Sequence, residues 1–132
     1  MKKIKNLLNQ KGLTLVELLA VLVIIAIIAA IAVPIVNNII SDSDDRAEAA
    51  EALNIISSAK LAELSSDLDC STADACTQDT LSDYIQSSVS DFTLSRSGDV
   101  WSITGHPVNS ISDITATPVT EEVIETYLDT TN

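Results

Sequence analysis

Apolar and polar positions along the chain fall into four regimes, each of which predicts a different kind of element. Residues 1–12 are short, basic and polar, with Leu7 and Leu8 as the only adjacent apolar pair. From Leu18 to Val36 runs a stretch of 19 residues with no charge and no strongly polar group, built from Leu, Ile, Val and Ala. As a helix it spans about 28 Å, close to the roughly 30 Å of a bilayer's hydrocarbon, so it is able to cross a membrane once. Pro34 sits near its end and removes one helical hydrogen bond, which predicts a local kink because helix-compatible residues continue on both sides.

After Asn37 the pattern becomes periodic. Ser41-Asp42-Ser43-Asp44-Asp45 offers a cap for a new helix or an interruption of the old one. Beyond it Ala49, Ala52, Leu53, Ile56, Ala59 and Leu64 recur at helical spacing and predict an amphipathic helix with a small-residue face. The polar stretch Asp67–Asp79 reads as a loop, and Thr80–Ile85 as a short helix or turn.

The period then falls to two. Phe92–Leu94 and Val100–Thr104 read as strands joined by Ser95–Asp99, where Gly98-Asp99 supplies hairpin-turn chemistry. Val108–Val119, with Ile111 and Ile114, reads as a weaker third strand closed by Pro118. Glu121–Leu128 is compatible with a terminal helix or an edge strand. The expected fold is α+β: a long N-terminal α-helix, membrane-spanning in its first half, packed against a small antiparallel β-sheet head.

Charge divides this picture at one point. Lys2, Lys3, Lys5 and Lys11 all precede Leu13, and all 19 acidic residues follow it. Basic residues before the apolar run and acids after it orient the span with residue 1 on the cytoplasmic side. If the chain is cut after Gly12, only Arg46, Lys60 and Arg96 face those acids, a side-chain balance of 3 − 19 = −16. Such a body disfavours nucleic acid as a partner, though a filament that includes other subunits stays open to it.

Candidate chemistry is sparse. Cys70 and Cys76 are the only cysteines and, in a segment sent across a membrane, read as a disulfide; two free thiols are the competing reading. The acids Asp67, Asp69, Asp74 and Asp79 lack the spacing of a calcium loop and read as solvated surface. Trp101 reads as hairpin core, and His106 as a loop residue. No catalytic constellation, phosphate loop, metal site or cofactor site emerges, so the chain does not read as an enzyme.

Two features of residues 11–19 stand apart. Gly12 is a small residue ahead of the apolar helix, suited either to a protease cut or to ending a leader as a helix breaker. Glu17 is a carboxylate at the mouth of an uncharged span. Thr14-x-x-Glu17 fits a capping box, which explains the charge locally; otherwise a carboxylate there calls for a partner. A secretory signal places its apolar core before the cut, whereas here the core would stay with the mature chain.

Lys11-Gly12-Leu13-Thr14-Leu15-Val16-Glu17-Leu18-Leu19, followed by the Ala- and Ile-rich span with Pro34, closely resembles the N-terminal signature of type IV pilins and pseudopilins. The likeness covers about the first 40 residues; Leu13 stands where that family most often has Phe. It implies cleavage between Gly12 and Leu13 by a prepilin peptidase that also methylates the new amine of Leu13. It further implies a membrane platform and an ATPase that move subunits from the bilayer into a homopolymeric helical filament at the cell surface.

Thr14 and Glu17 would then serve assembly, with Glu17 pairing to a neighbour's amine and setting axial register. Ala20, Ala26, Ala29, Ala30 and Ala32 would let helices approach closely. The implied organisation is a leader at 1–12, a long helix at 13–64 whose residues 13–36 span the membrane and later form the filament core, and a disulfide-stapled head at 65–132. A type IV pilus subunit is the first expectation and a pseudopilin of type II secretion or DNA uptake the second. A single-span membrane protein with a non-polymerising acidic ectodomain is the rival of a different class.

Overall fold

In the computed structural model the elements follow the order α1 (Lys2–Ser65), β1 (Cys76–Thr77), β2 (Thr93–Ser97), β3 (Val100–Thr104), a 3-10 turn η1 (Pro107–Ser110), β4 (Val119–Thr120) and α2 (Glu121–Thr130). The structure describes residues 14–65, 68–72, 76–87 and 89–131 in full and residues 2–13 by their helical backbone. The expected cut at Gly12 and Leu13, and the acids Asp67 and Asp74, lie outside the fully described residues. Two compact units, Met1–Ser41 and Asp42–Asn132, divide the chain.

The first unit is helical from Lys2 onward, and its described large aliphatic side chains are exposed all round, from Leu15 at 67% to Ile40 at 53%. A helix that is apolar on every side is one that another phase or other helices must cover. Pro34 lies inside the helix, where it takes away the hydrogen bond that its nitrogen would make to the carbonyl of Ala30.

The second unit begins in the same element. No break occurs at Asn37–Asp45: the helix continues, and the short polar side chains there stay on it at its surface. The reason is that no glycine or proline stops the helix there, and the apolar stripe resumes within two turns. That stripe differs in detail from the expected one. Ala49, Ala52, Ile55, Ile56, Ala59 and Ala62 are buried, Leu53 is half-buried, and Leu64 is 87% exposed. Five residues past Ala59, Leu64 is turned roughly 140° away from it, given about 100° per residue.

The sheet is antiparallel, with its four strands in sequential order β1-β2-β3-β4. Its register places Cys76 opposite Leu94, Leu94 opposite Ile103, and Ile103 opposite Val119. These four residues form one fully buried row across the sheet, and they share a core with the stripe of α1. The next pair on that face is Arg96 and Trp101, with the guanidinium 5.9 Å from the ring centre. On the other face Ser95 and Ser102 bond to each other at 2.8 Å, which gives the buried Ser102 hydroxyl a partner while Ser95 stays exposed.

The hairpin forms where its turn residues stand, but its strands are longer than the pattern suggests, because Ser95–Ser97 pair in full. Only Gly98-Asp99 remains as the loop, with Gly98 at φ 63 in the first central position. Glycine is what a two-residue turn of this hand requires at that position. Cys76–Thr77, read as loop, is a short edge strand because the register of β2 offers it a partner. Thr80–Ile85 forms successive turns, with Leu81 N donating to Thr77 O at 3.1 Å and Ile85 N to Leu81 O at 3.0 Å; these turns carry Leu81 into the core.

Val108–Val119 is not a strand. Pro107 opens η1, Ile114 N donates to Ile111 O at 3.0 Å in a further turn, and only Val119–Thr120 joins the sheet. Two prolines without an N–H bracket a segment whose apolar residues recur every three positions, so a turn buries them better than a ladder. The ambiguous C-terminal segment is a helix. Ile124 and Tyr127 are buried at a spacing of three, and Glu121 and Glu122 occupy the first turn, where negative charge suits the helix dipole.

Candidate functional site

The segment from Thr14 to Val36 carries the groups that the sequence singled out. Thr14 and Glu17 are three residues apart on α1 and therefore neighbours on its surface. Because α1 runs from Lys2, Thr14 stands inside the helix of the uncut chain and not at its N-cap, so a capping box is not what this helix start uses. Glu17 is exposed. Ala20, Ala26, Ala29, Ala30 and Ala32 are also at the helix surface, each leaving a shallow place among the larger aliphatics. Among the described residues this is the one helix long and apolar enough to cross a bilayer.

The head carries no comparable concentration of chemistry, but its first loop is strongly tied down. Cys70 and Cys76 form a disulfide with Cα atoms 5.3 Å apart, and both cysteines are fully buried. Oε1 of Glu63, on α1, accepts from Arg96 Nη2 at 2.9 Å, Arg96 Nε at 3.2 Å and Cys70 N at 3.3 Å. Arg96 N donates to Cys70 O at 2.8 Å, and Arg96 Nη1 to Gly98 O at 2.8 Å. One arginine thus joins helix, disulfide loop and hairpin. Sequence reading passed over it. The signal was available: after Gly12 the chain holds only three basic residues, and the other two also bond within the head, Lys60 to Glu121 and Arg46 to Thr131.

Electrostatics follow the acidic balance. Burial, then repulsion from Asp45, Asp44 and Glu51, pushes the Glu48 carboxyl up. Hydrogen bonds from Ser71, and then the charge of Arg96, hold Asp69 below the usual carboxylate range. The Tyr127 hydroxyl is pushed up by burial and by Asp45, Asp113 and Asp42. Among the described residues no group of three or more His, Cys, Asp or Glu is placed to hold a metal ion. His106 lies in the loop that leads into η1, as the sequence suggests, but it is 2% exposed and caps η1, with Nδ1 accepting from Val108 N at 3.1 Å.

The chemistry of this molecule is therefore concentrated in an apolar helical segment rather than in a pocket of reactive groups. Residues 7–33 match a family model described as the prokaryotic N-terminal methylation motif, a structural motif and not that of an enzyme family. No curated protein and no solved structure matches the chain. At its N-terminus the chain carries the type IV prepilin-like cleavage and methylation signal, which supports a type IV pilin-like or pseudopilin precursor.

Proposed function

We propose that this protein is the structural subunit of a type IV pilus filament, inserted in the cytoplasmic membrane as a precursor, cut after Gly12, methylated on the Leu13 amine and polymerised through its N-terminal helix. Residues 1–12 are the leader, 13–64 the helix and 65–132 the head. The observation that carries the reading is the all-round exposure of the large aliphatics from Leu15 to Ile40, immediately after the cut. Burying a Leu, Ile or Val side chain is worth about 1.5–3 kcal/mol, so this segment strongly favours an apolar surrounding. Lipid supplies it before assembly, and other copies of the helix supply it in the filament.

Glu17 then acts between subunits. In a low-dielectric bundle its pairing with a neighbour's Leu13 amine sets register more than it adds stability. Pro34 gives the helix a point at which to bend as it leaves the bilayer. A prepilin peptidase, an assembly platform and its ATPase are the implied partners.

Mass spectrometry of material sheared from the cell surface tests the reading. An abundant peptide beginning with methylated Leu13 is expected; an intact residue 1 found only in the membrane fraction would sink it. Processed chains confined to the envelope would instead favour a pseudopilin. Glu17→Ala is expected to leave cleavage intact and to cut filament yield severely, and an unchanged yield would remove Glu17 from the mechanism.

A further inference from the structure

We propose that His106 is an acid-sensitive latch of the head: its neutral imidazole holds the segment from Gly105 to Ile111 closed, and uptake of one proton by the ring releases it. The argument begins with the two ring nitrogens. Nδ1 accepts a hydrogen bond from Val108 N at 3.1 Å. An accepting nitrogen carries no proton, so the neutral ring bears its hydrogen on Nε2. Nε2 is buried and, among the described residues, has no hydrogen-bond partner. The ring is 2% exposed and stands edge-on to Phe92, with centroids 6.5 Å apart and planes at 64°.

An imidazolium does not fit this place. It would turn an N–H at Nδ1 against the N–H of Val108, replacing an attraction with a repulsion. Its second N–H would carry charge into a site with no acceptor. Among charged groups, Glu51 on α1 is the one whose field favours the proton, but its Oε1 already accepts from Ser87 Oγ at 2.6 Å. On the segment that carries Phe92, Asp91 sets its backbone carbonyl against Gly105, so close that a Cβ there would lie 2.4 Å from the oxygen. η1 itself, Pro107–Ser110, contributes no ionisable side chain, and β3 before it, Val100–Thr104, has none either. Burial outweighs Glu51 and holds His106 below the ordinary histidine value of 6.5.

The sign of the linkage follows. With the folded-state value depressed, the contribution of His106 is fully present above pH 6.5 and is lost as pH falls toward and through the folded value. More than the ring depends on it. The same segment carries Val108 and Ile111 into the core, and Asn109 Nδ2 donates to Ile103 O at 3.2 Å, tying η1 to the central hairpin. Expelling the ring loosens the connection between β3 and β4, and the head opens at that edge in acid. This inference stands apart from the filament reading.

His106 is the only histidine, so the imidazole correlations in nitrogen-detected NMR of the full-length chain in detergent belong to it alone. The Nε2–H tautomer is expected at neutral pH, with a titration below 6.5. In urea unfolding followed by Trp101 fluorescence, the unfolding constant should rise by up to about tenfold for each pH unit below the unfolded-state value. His106→Asn keeps an oxygen able to cap Val108 N and should lose that part of the slope. An Nδ1–H tautomer, a titration at or above 6.5, or identical slopes in the two proteins would overturn the proposal. If the variant does not fold, the tautomer and the titration of the native ring decide alone.

Discussion

Two stretches of α1 are both rich in apolar residues, yet they answer to different surroundings. Between Leu15 and Ile40 the large aliphatics stand exposed on every side, Ile28 at 60% and Ile31 at 62%. Between Ala49 and Ala62 the apolar residues are mostly small, and those on one face are buried completely. The first stretch is apolar on every side and has no polar face. The second presents a face whose buried residues share one core with the row Cys76, Leu94, Ile103 and Val119. Side-chain size and the presence of a polar face, not hydropathy, separate an exposed apolar segment from a core segment within one helix.

The contrast can be broken most sharply by making one substitution in both stretches. Trp101, 5% exposed, is the only tryptophan, so its fluorescence in urea reports on the second unit. Ile56→Ala should cost about 2–5 kcal/mol in that assay, whereas Ile28→Ala should change it by less than about 0.5 kcal/mol. Equal effects would mean that the first stretch also belongs to the head's cooperative fold.

Enlarging a residue tests the other side of the comparison. Ala59→Leu should cost about 1–3 kcal/mol, because a fully buried alanine has no room for a larger side chain. Ala29→Leu, at the helix surface, should leave the urea midpoint in place. A tolerated leucine at residue 59 would show that the interface between helix and sheet is loosely packed.

The disulfide and the arginine contribute smaller terms. Replacing Cys70 and Cys76 together by Ser should destabilise the head by about 2 kcal/mol, the chain-entropy value for so short a loop. An unchanged midpoint would mean that Glu63 and Arg96 hold the loop without it. Arg96→Gln, which breaks a partly buried pair, should cost about 1 kcal/mol and should depend weakly on salt. A much larger loss would make this arginine, and not the apolar row, the main tie between helix and hairpin.

Much of this was legible from residue order. The uninterrupted apolar run, the charge change at Gly12 and the Thr14-to-Glu17 spacing are local patterns, and the helix and its N-terminal signal follow from them. The hairpin was legible for the same reason, since period-two residues flank a Gly-Asp turn. What was missed depends on distant partners. Val108–Val119 alternates only imperfectly, with Val108, Ile111 and Ile114 three positions apart, and its prolines and its turn bonds take it out of the ladder. Leu64 looked like stripe and Ile55 did not, because which side of a helix is covered depends on where the sheet lies.

The sequence by itself determined the long helix, its membrane-compatible half, the cut signal and the cysteine pair, since each rests on composition or spacing within a few turns of chain. Only the tertiary structure decided that Arg96 would bridge Glu63 and the disulfide loop, that Cys76 would lie in register with Val119 across four strands, and that His106 would be buried with one nitrogen capping η1. Those contacts join residues that lie far apart in the chain or depend on burial contributed by several elements. They form only when the fold brings their elements together, and no local pattern encodes that meeting.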